Sequence, residues 1–141
     1  MTVYADTSFF VSLYLTDQHS HKAERKMAPN LTLWLTPLHV AEWTHAVEQH
    51  VFRRALSRSE AEDFHKRFEQ HRQEGLWMEV ALPESAFEVS AHLARRYAAR
   101  FGLRTLDTLH VAAALELKAA RFWTFDGRQK KLARATGLET A

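Results

Sequence analysis

The sequence of 141 residues contains no cysteine. This absence excludes a disulfide framework and any metal site built on thiolates, and it fits a reducing compartment. No apolar run approaches the roughly 20 residues that span a bilayer. No basic region precedes the first apolar run either, as it would in a signal peptide. We therefore expect a soluble, cytoplasmic protein that is not exported and has no membrane partner.

An excess of charge of one sign is also missing. The 19 basic and 17 acidic residues give a formal net charge of only +2, so overall charge is weak evidence for a nucleic-acid partner. No linker, repeat or low-complexity segment divides the chain. Hydrophobic residues make up 46%, enough for one buried core at this length. We predict a single domain over residues 1–141.

Apolar runs alternate with helical patterns along the chain. This alternation predicts an α/β fold with a central parallel sheet covered on both faces. The predicted strands are 2–6, 31–36, 76–82, 121–125 and a closing 138–140. The predicted helices start after the first strand and then cover 19–27 (stopped by Pro29 and Asn30), 37–56, 57–74, 83–102, 105–120 and a last segment to 136.

Four acids occupy positions that this fold brings to one edge of the sheet. Asp6 and Asp126 each end a predicted strand, Glu42 lies in the second turn after Pro37, and Asp107 begins the helix near 105. Ligands of open parallel sheets bind beyond the carboxyl ends of the strands, where the packed helices also begin. If the fold is right, the four acids converge there.

Clustered carboxylates repel one another unless a positive group joins them. Mg²⁺ and Mn²⁺ prefer oxygen ligands and leave room for a phosphate oxygen, and such ions support phosphodiester hydrolysis. Each acid also has a structural explanation. Asp6 could cap a helix, Asp107 could favour the helix dipole, Glu42 could be solvated, and Asp126 before Gly127 could form a turn.

At these acids the chain resembles the PIN-domain family, and within it the small bacterial ribonuclease toxins of the VapC type. The matching segments surround Asp6, Glu42, Asp107 and Asp126 in the same order. They are YADTSFFVSLY, TPLHVAEWTHAV, RTLDTLHVAAAL and FWTFDGRQKKLARATGL. The third segment is the most distinctive, and together the four span nearly the whole chain.

The resemblance implies a three-layer α/β/α sandwich and a Mg²⁺- or Mn²⁺-dependent endoribonuclease, often acting on structured RNA such as transfer RNA. It further implies the toxin of a type II toxin–antitoxin pair, an antitoxin partner and a homodimer. Asp6, Glu42 and Asp107 match the family's core metal-binding acids, and Asp126 matches a more variable fourth. Ser8 and Thr124 match hydroxyl positions that would support the first and last acids.

Basic residues near the acids have two interpretations. Arg104 and Arg128, with Lys130 and Lys131, could hold phosphates at the rim of the site, or residues 128–134 could be the solvated face of a terminal helix. We expect His110 to be a packed helix residue rather than a ligand.

Two other functional classes compete with the nuclease. A non-catalytic PIN-like module would bind RNA or protein, although retention of all four acids argues against it. A receiver-like switch phosphorylated on Asp usually has a Lys at a late strand end, and RFWTFD offers none there. The Glu-x-x-His pairs at Glu42 and Glu62 fit di-iron bundles, but the strand-like segments argue against that fold.

Overall fold

The computed structural model describes residues 1–27 and 31–140 and contains a parallel sheet of four strands. The strands are β1 (Thr2–Ala5), β2 (Thr32–Leu35), β3 (Met78–Glu79) and β4 (Arg121–Trp123). Their order across the sheet is β3-β2-β1-β4, and all pairs are parallel. The predicted parallel α/β architecture is therefore confirmed.

Helices connect the strands and cover both faces of the sheet. They are α1 (Thr7–Tyr14), α2 (Ser20–Lys26), α3 (Pro37–Phe52), α4 (Arg58–Gln73), α5 (Ser85–Leu93), α6 (Ala99–Phe101), α7 (Thr105–Glu116) and α8 (Gly127–Ala135). A π-helical turn (Ala94–Ala98) joins α5 to α6. Thr36 caps α3 with Pro37 in its first turn, and Ser57 caps α4 with Glu60 in a capping box, as helix-start chemistry predicts.

The core has two halves because side chains alternate along each strand. Val3, Ala5 and Leu33 point to one face, where they pack with α1, α3 and α4. Tyr4 and Phe122 point to the other face, where they pack with α5, α7 and α8. This is the three-layer sandwich that the sequence pattern predicted.

The third strand is shorter than the predicted 76–82. β3 lies at the edge of the sheet, where Met78 and Glu79 pair with β2 and the amide of Val80 adds one more bond to the carbonyl of Leu35 (2.9 Å). Trp77, just before it, is 6% exposed because its ring turns into the core. The apolar run at 76–82 therefore predicts a longer strand than the one that forms, because an edge strand pairs on one side alone.

The predicted closing strand at 138–140 is a single bridge between Glu139 and Arg121. Gly137 has a φ of +90°, and the amide of Leu138 still bonds to the carbonyl of Ala133 in α8. The chain is therefore still leaving the helix at 138, and only Glu139 reaches β4.

The predicted stop of the second helix at Pro29 and Asn30 lies outside the described residues. Within residues 1–27 and 31–140, no helix combines the length and the apolar character needed to cross a bilayer.

Candidate functional site

Four separate elements bring the four acids to one cavity of about 810 Å³. Asp6 follows β1, Asp126 follows β4, Glu42 lies in α3 and Asp107 lies in the first turn of α7. The chain first adds β2 and β3 on one side of β1 and then returns to add β4 on the other side, so β1 and β4 are neighbours. The cavity thus lies where the strand order reverses, the usual ligand position in open parallel sheets.

Asp6 is held at the junction between β1 and α1. Its amide donates to the carbonyl of Trp123 at the end of β4 (2.9 Å). Its carboxylate oxygen Oδ2 accepts from the Ser8 hydroxyl at 2.5 Å. Asp6 occupies the N-cap position of α1, but its side chain makes no capping hydrogen bond. Capping therefore does not account for this acid.

Glu42 is held from two other elements. Its Oε1 accepts from the Thr7 hydroxyl at 2.7 Å and from Nε2 of His110 at 2.5 Å. Since a carboxylate only accepts, the proton of the imidazole on this side must be on Nε2. Glu42 is consequently a positioned side chain and not a freely solvated one.

Asp107 and Asp126 have structural roles as well as a place in the cavity. Asp107 Oδ2 accepts from the amide and Nε of Arg104 (3.2 and 3.3 Å). Asp126 Oδ1 caps α8 by accepting from the amides of Arg128 and Gln129 (2.8 and 3.1 Å). Asp107 thus lies in the first turn of its helix, as the helix-dipole explanation expects, whereas Asp126 caps a helix and does not form the turn that was considered for it.

One oxygen of each acid is fixed by the protein, and the other is not. The hydrogen bonds above use Oδ2 of Asp6, Oε1 of Glu42, Oδ2 of Asp107 and Oδ1 of Asp126. Across the part of the chain that the structure describes, the second oxygen of each carboxylate accepts no hydrogen bond. Each acid is thus oriented and retains an oxygen for a ligand.

The electrostatics show that the acids affect one another. Burial raises the pKa of Asp6, and the charges of Glu42 and Asp107 add to this, while His110 and the Ser8 hydrogen bond oppose it. Burial alone would raise the pKa of Glu42 too, but the bonds from His110 and Thr7 outweigh it and leave that pKa below its ordinary value. The charge of His110 opposes this accumulation of negative charge at both acids, and the charge of Arg104 also lowers the pKa of Glu42.

His110 is the functional neighbour that sequence reasoning underestimated. It is buried, as predicted, with a side chain only 1% exposed, but it also contacts the acids: its Nε2 bonds Glu42 and lies 3.9 Å from Asp6 Oδ1. Its Nδ1 lies 2.7 Å from the hydroxyl oxygen of Tyr4. The available signal was its position one turn after Asp107, on the face of α7 that carries that acid.

His39 supports the same region from below. Its Nε2 donates to the carbonyl of Ala5 (2.8 Å), and its Nδ1 accepts from the amide of Thr36 (3.0 Å). Burial, and next the charge of His110, lower the pKa of His39 to about 3. A neutral imidazole therefore fastens the start of α3 to the last residue of β1, one position before Asp6.

The remaining sequence-predicted residues are placed as follows. Ser8 donates to the Asp6 carboxylate, whereas Thr124 accepts from the backbone amide of Asp126 (3.0 Å) instead of donating to the Asp126 carboxylate. Arg104 lines the acid cavity with its side chain 81% exposed. Arg128 does not line it and instead reaches the carbonyl of Gly102 (3.4 Å).

The acids line one cavity but do not form a closed cluster. No three His, Asp or Glu side chains within residues 1–27 and 31–140 are grouped so that they could hold a metal ion as they stand. The donor chemistry nevertheless fits Mg²⁺ or Mn²⁺, since every donor is a carboxylate oxygen. A cavity of about 970 Å³ lies on the other side of Glu42. Its lining is mainly apolar and does not include Asp6, Asp107 or Asp126.

A family model described as the PIN domain matches residues 3–135. No curated protein sequence matches the chain.

Solved structures of toxin–antitoxin proteins have similar folds. VapC20 of Mycobacterium tuberculosis, described as a toxin that cleaves the sarcin-ricin loop, is 16% identical, with 97% of this chain and 96% of that chain covered and a TM-score of 0.69. VapBC2 of Rickettsia felis, bound to a promoter DNA fragment, is 15% identical with coverages of 100% and 98% and a TM-score of 0.68. FitAcB of Neisseria gonorrhoeae is 17% identical with coverages of 98% and 95% and a TM-score of 0.69. At these identities the likeness shows the fold.

Proposed function

The chain belongs to the PIN-domain family, and on that premise we propose that it is a metal-dependent endoribonuclease that hydrolyses RNA phosphodiester bonds. The observation that carries the proposal is the gathering of Asp6, Glu42, Asp107 and Asp126 around one cavity from four elements. These acids would hold Mg²⁺ or Mn²⁺. The ion, when bound, supplies a water of lowered pKa and stabilises charge on the phosphate oxygens.

The residues of the chain prepare this chemistry by orientation. Ser8 fixes one oxygen of Asp6, and His110 with Thr7 fixes one oxygen of Glu42. The second oxygens remain for a ligand, and a cation would offset both the burial and the charges of Glu42 and Asp107 that raise the pKa of Asp6. Arg104, exposed at the rim, can meet a phosphate of the substrate.

We further propose that the protein is the toxin of a type II toxin–antitoxin pair in the cytoplasm. Its partners would be an RNA substrate such as transfer RNA, a cognate antitoxin and a second copy of itself. The support is the family together with the resemblance to solved VapBC and FitAB complexes. Growth arrest on expression, relieved by a co-expressed antitoxin, is the expected outcome. Normal growth with abundant folded protein would contradict the toxin role.

An RNA cleavage assay tests the nuclease. We expect cleavage with Mn²⁺ or Mg²⁺, none with EDTA, and losses of at least about 100-fold in Asp6→Asn and Asp107→Asn. Asp63→Asn, which removes an exposed acid from α4, is the matched control and should cleave normally. Undiminished cleavage by Asp107→Asn rejects this site. A folded, metal-loaded wild type that cleaves no RNA favours a non-catalytic binding module.

A further inference from the structure

We propose that a basic groove beside the acid cavity binds the phosphodiester backbone of the RNA substrate, an inference that rests on the proposed nuclease function. The basic groove is lined by Lys22, Arg25 and Lys26 of α2, Lys130 of α8, and Thr124 and Phe125 between them. Its volume is about 460 Å³. It is separate from the rim residues Arg104 and Arg128, which lie toward α7.

The cations are arranged as one surface. Lys22, Arg25 and Lys26 follow the i, i+3, i+4 spacing that places residues on one helix face, and Lys130 faces them from α8. The lining contains no acid. Among the ion pairs found in residues 1–27 and 31–140, none involves Lys22, Arg25 or Lys130.

The cations of the basic groove lie close enough to affect one another. Burial lowers the pKa of Lys26, and the nearby charges of Lys130, Arg121 and Lys22 lower it further. The Lys26 ammonium lies 4.9 Å from the centre of the Trp123 ring, which accommodates it in part. Positive side chains brought together in this way repel one another, and a bound polyanion reverses the sign of that interaction.

The basic groove adjoins the acid cavity. Phe125 lines both spaces, and Asp126 is the next residue along the chain. His19, which lines the acid cavity, stacks on Phe125 with ring centres 4.4 Å apart and ring planes 5° apart. A strand of RNA whose scissile phosphate lies at the acids would therefore pass the aromatic pair and reach the cations of α2.

Single-stranded RNA fits these features better than an acidic peptide does. Its phosphates repeat at every nucleotide, so several cations can be used at once. Its bases can stack on the half-buried aromatic pair, the usual arrangement in single-strand binding sites. A peptide of Asp and Glu supplies charge but no ring for that platform.

Binding measurements test the inference. Fluorescence anisotropy of a labelled single-stranded RNA is recorded in EDTA with Asp107→Asn, so that the RNA stays intact, over a range of KCl concentrations. Adding Lys22→Ala, Arg25→Ala and Lys130→Ala should raise Kd at least about tenfold. The slope of log K against log salt should fall by about 2, since each phosphate contact on a single strand contributes about 0.7.

The matched control removes three positive charges elsewhere. It combines Arg53→Ala, Lys66→Ala and Arg95→Ala. The three original side chains are exposed and line neither the acid cavity nor the basic groove. This triple variant should retain the parental Kd and salt slope. Lys22→Arg with Lys130→Arg, which keeps the charges, should do the same. Equal Kd and slope for the two triple variants overturns the inference, as does tighter binding of poly-glutamate than of RNA at the basic groove.

Cleavage kinetics separate this inference from the proposed function. In the otherwise wild-type chain, the basic-groove triple should raise KM at least fivefold, roughly the loss expected of a few phosphate contacts, with kcat little changed. Cleavage by the wild type with an unchanged KM in the triple variant rejects the groove and keeps the nuclease. If the wild type cleaves no RNA but binds it, and the triple variant loses that binding, the groove is supported and the nuclease is rejected.

Discussion

At the scale of single residues, the acids combine a structural bond with an available oxygen. Asp126 caps α8 and Asp107 holds Arg104, yet both line the cavity with Asp6 and Glu42. A sequence presents capping and ligation as alternatives for such acids. The structure shows that one oxygen of a carboxylate can make the structural bond while the other oxygen stays available for a ligand.

His110 gives the first prediction at this scale. Because it fixes Oε1 of Glu42, His110→Ala should lower activity and Mn²⁺ affinity about 10- to 100-fold, the usual effect of removing a group that orients a ligand. Tyr4→Phe removes only the hydroxyl near Nδ1 of His110 and should have a smaller effect. Mn²⁺ binding measured by electron paramagnetic resonance checks this independently of cleavage. Unchanged Mn²⁺ affinity in His110→Ala would contradict it.

Asp6 gives the second prediction. Its folded pKa is raised above the unfolded value, so the charged form is disfavoured in the fold, and Asp6 lowers stability as pH rises above the unfolded pKa. In metal-free protein at pH 7, Asp6→Asn should therefore raise the free energy of unfolding by about 1 kcal/mol. Urea unfolding in EDTA measures this. A less stable variant would show that the acid is not under electrostatic strain.

At the scale of secondary structure, the alternation of strands and helices was predictable because the strand residues are apolar on both faces. Val3 and Tyr4 belong to opposite halves of the core, so β1 needed helices on both sides. The length of β3 was not predictable, since Trp77 packs as a core residue while the strand beside it makes only two pairings. A local apolar run does not reveal which of its residues will pair.

The position of His110 illustrates the same limit for the site. The strand ends and helix starts place the four acids by topology alone, so they could be selected from the sequence. The bond between His110 and Glu42 joins residues 68 positions apart, and it depends on how α7 packs against α3. Helical spacing alone indicates only that His110 shares a face with Asp107.

The joint between α3 and β1 gives a prediction at this scale. His39 has its pKa lowered from 6.5 to about 3, so the unfolded chain binds the extra proton first, and stability falls as pH drops from 6.5 toward 3. The loss over the whole window is on the order of 5 kcal/mol. His39→Gln should lose less stability than wild type between pH 7 and pH 4.5. Urea unfolding at both values measures the difference.

The control for this joint is His45→Gln, which changes an exposed histidine in the same helix. It should keep the acid sensitivity of the wild type. If His39→Gln and His45→Gln show the same difference between the two pH values, His39 is not the source of the acid sensitivity.

At the scale of the whole molecule, a ligand held by four elements should stabilise all of them together. At a concentration of 100 times its Kd, a bound ion adds about 2.7 kcal/mol to the free energy of unfolding. For a chain of 141 residues, this corresponds to a rise in Tm of roughly 8 °C. EDTA should reverse it, and Asp6→Asn and Asp107→Asn should show little of it.

Thermal unfolding followed by circular dichroism, with and without Mn²⁺, provides the measurement. Asp63→Asn is again the matched control and should respond as the wild type does. An equal rise in Tm in Asp107→Asn would mean that the ion binds elsewhere.

The cap of α8 has a consequence for observing the site. The amides of Arg128 and Gln129 donate to the same carboxylate oxygen of Asp126, so their protons are shielded only while that oxygen faces the helix. If an incoming ion draws the whole carboxylate away, these two amides should exchange with deuterium faster than those further along α8. If it recruits only the other oxygen, they should stay protected, so two backbone protons act as a built-in reporter of how the last acid is engaged.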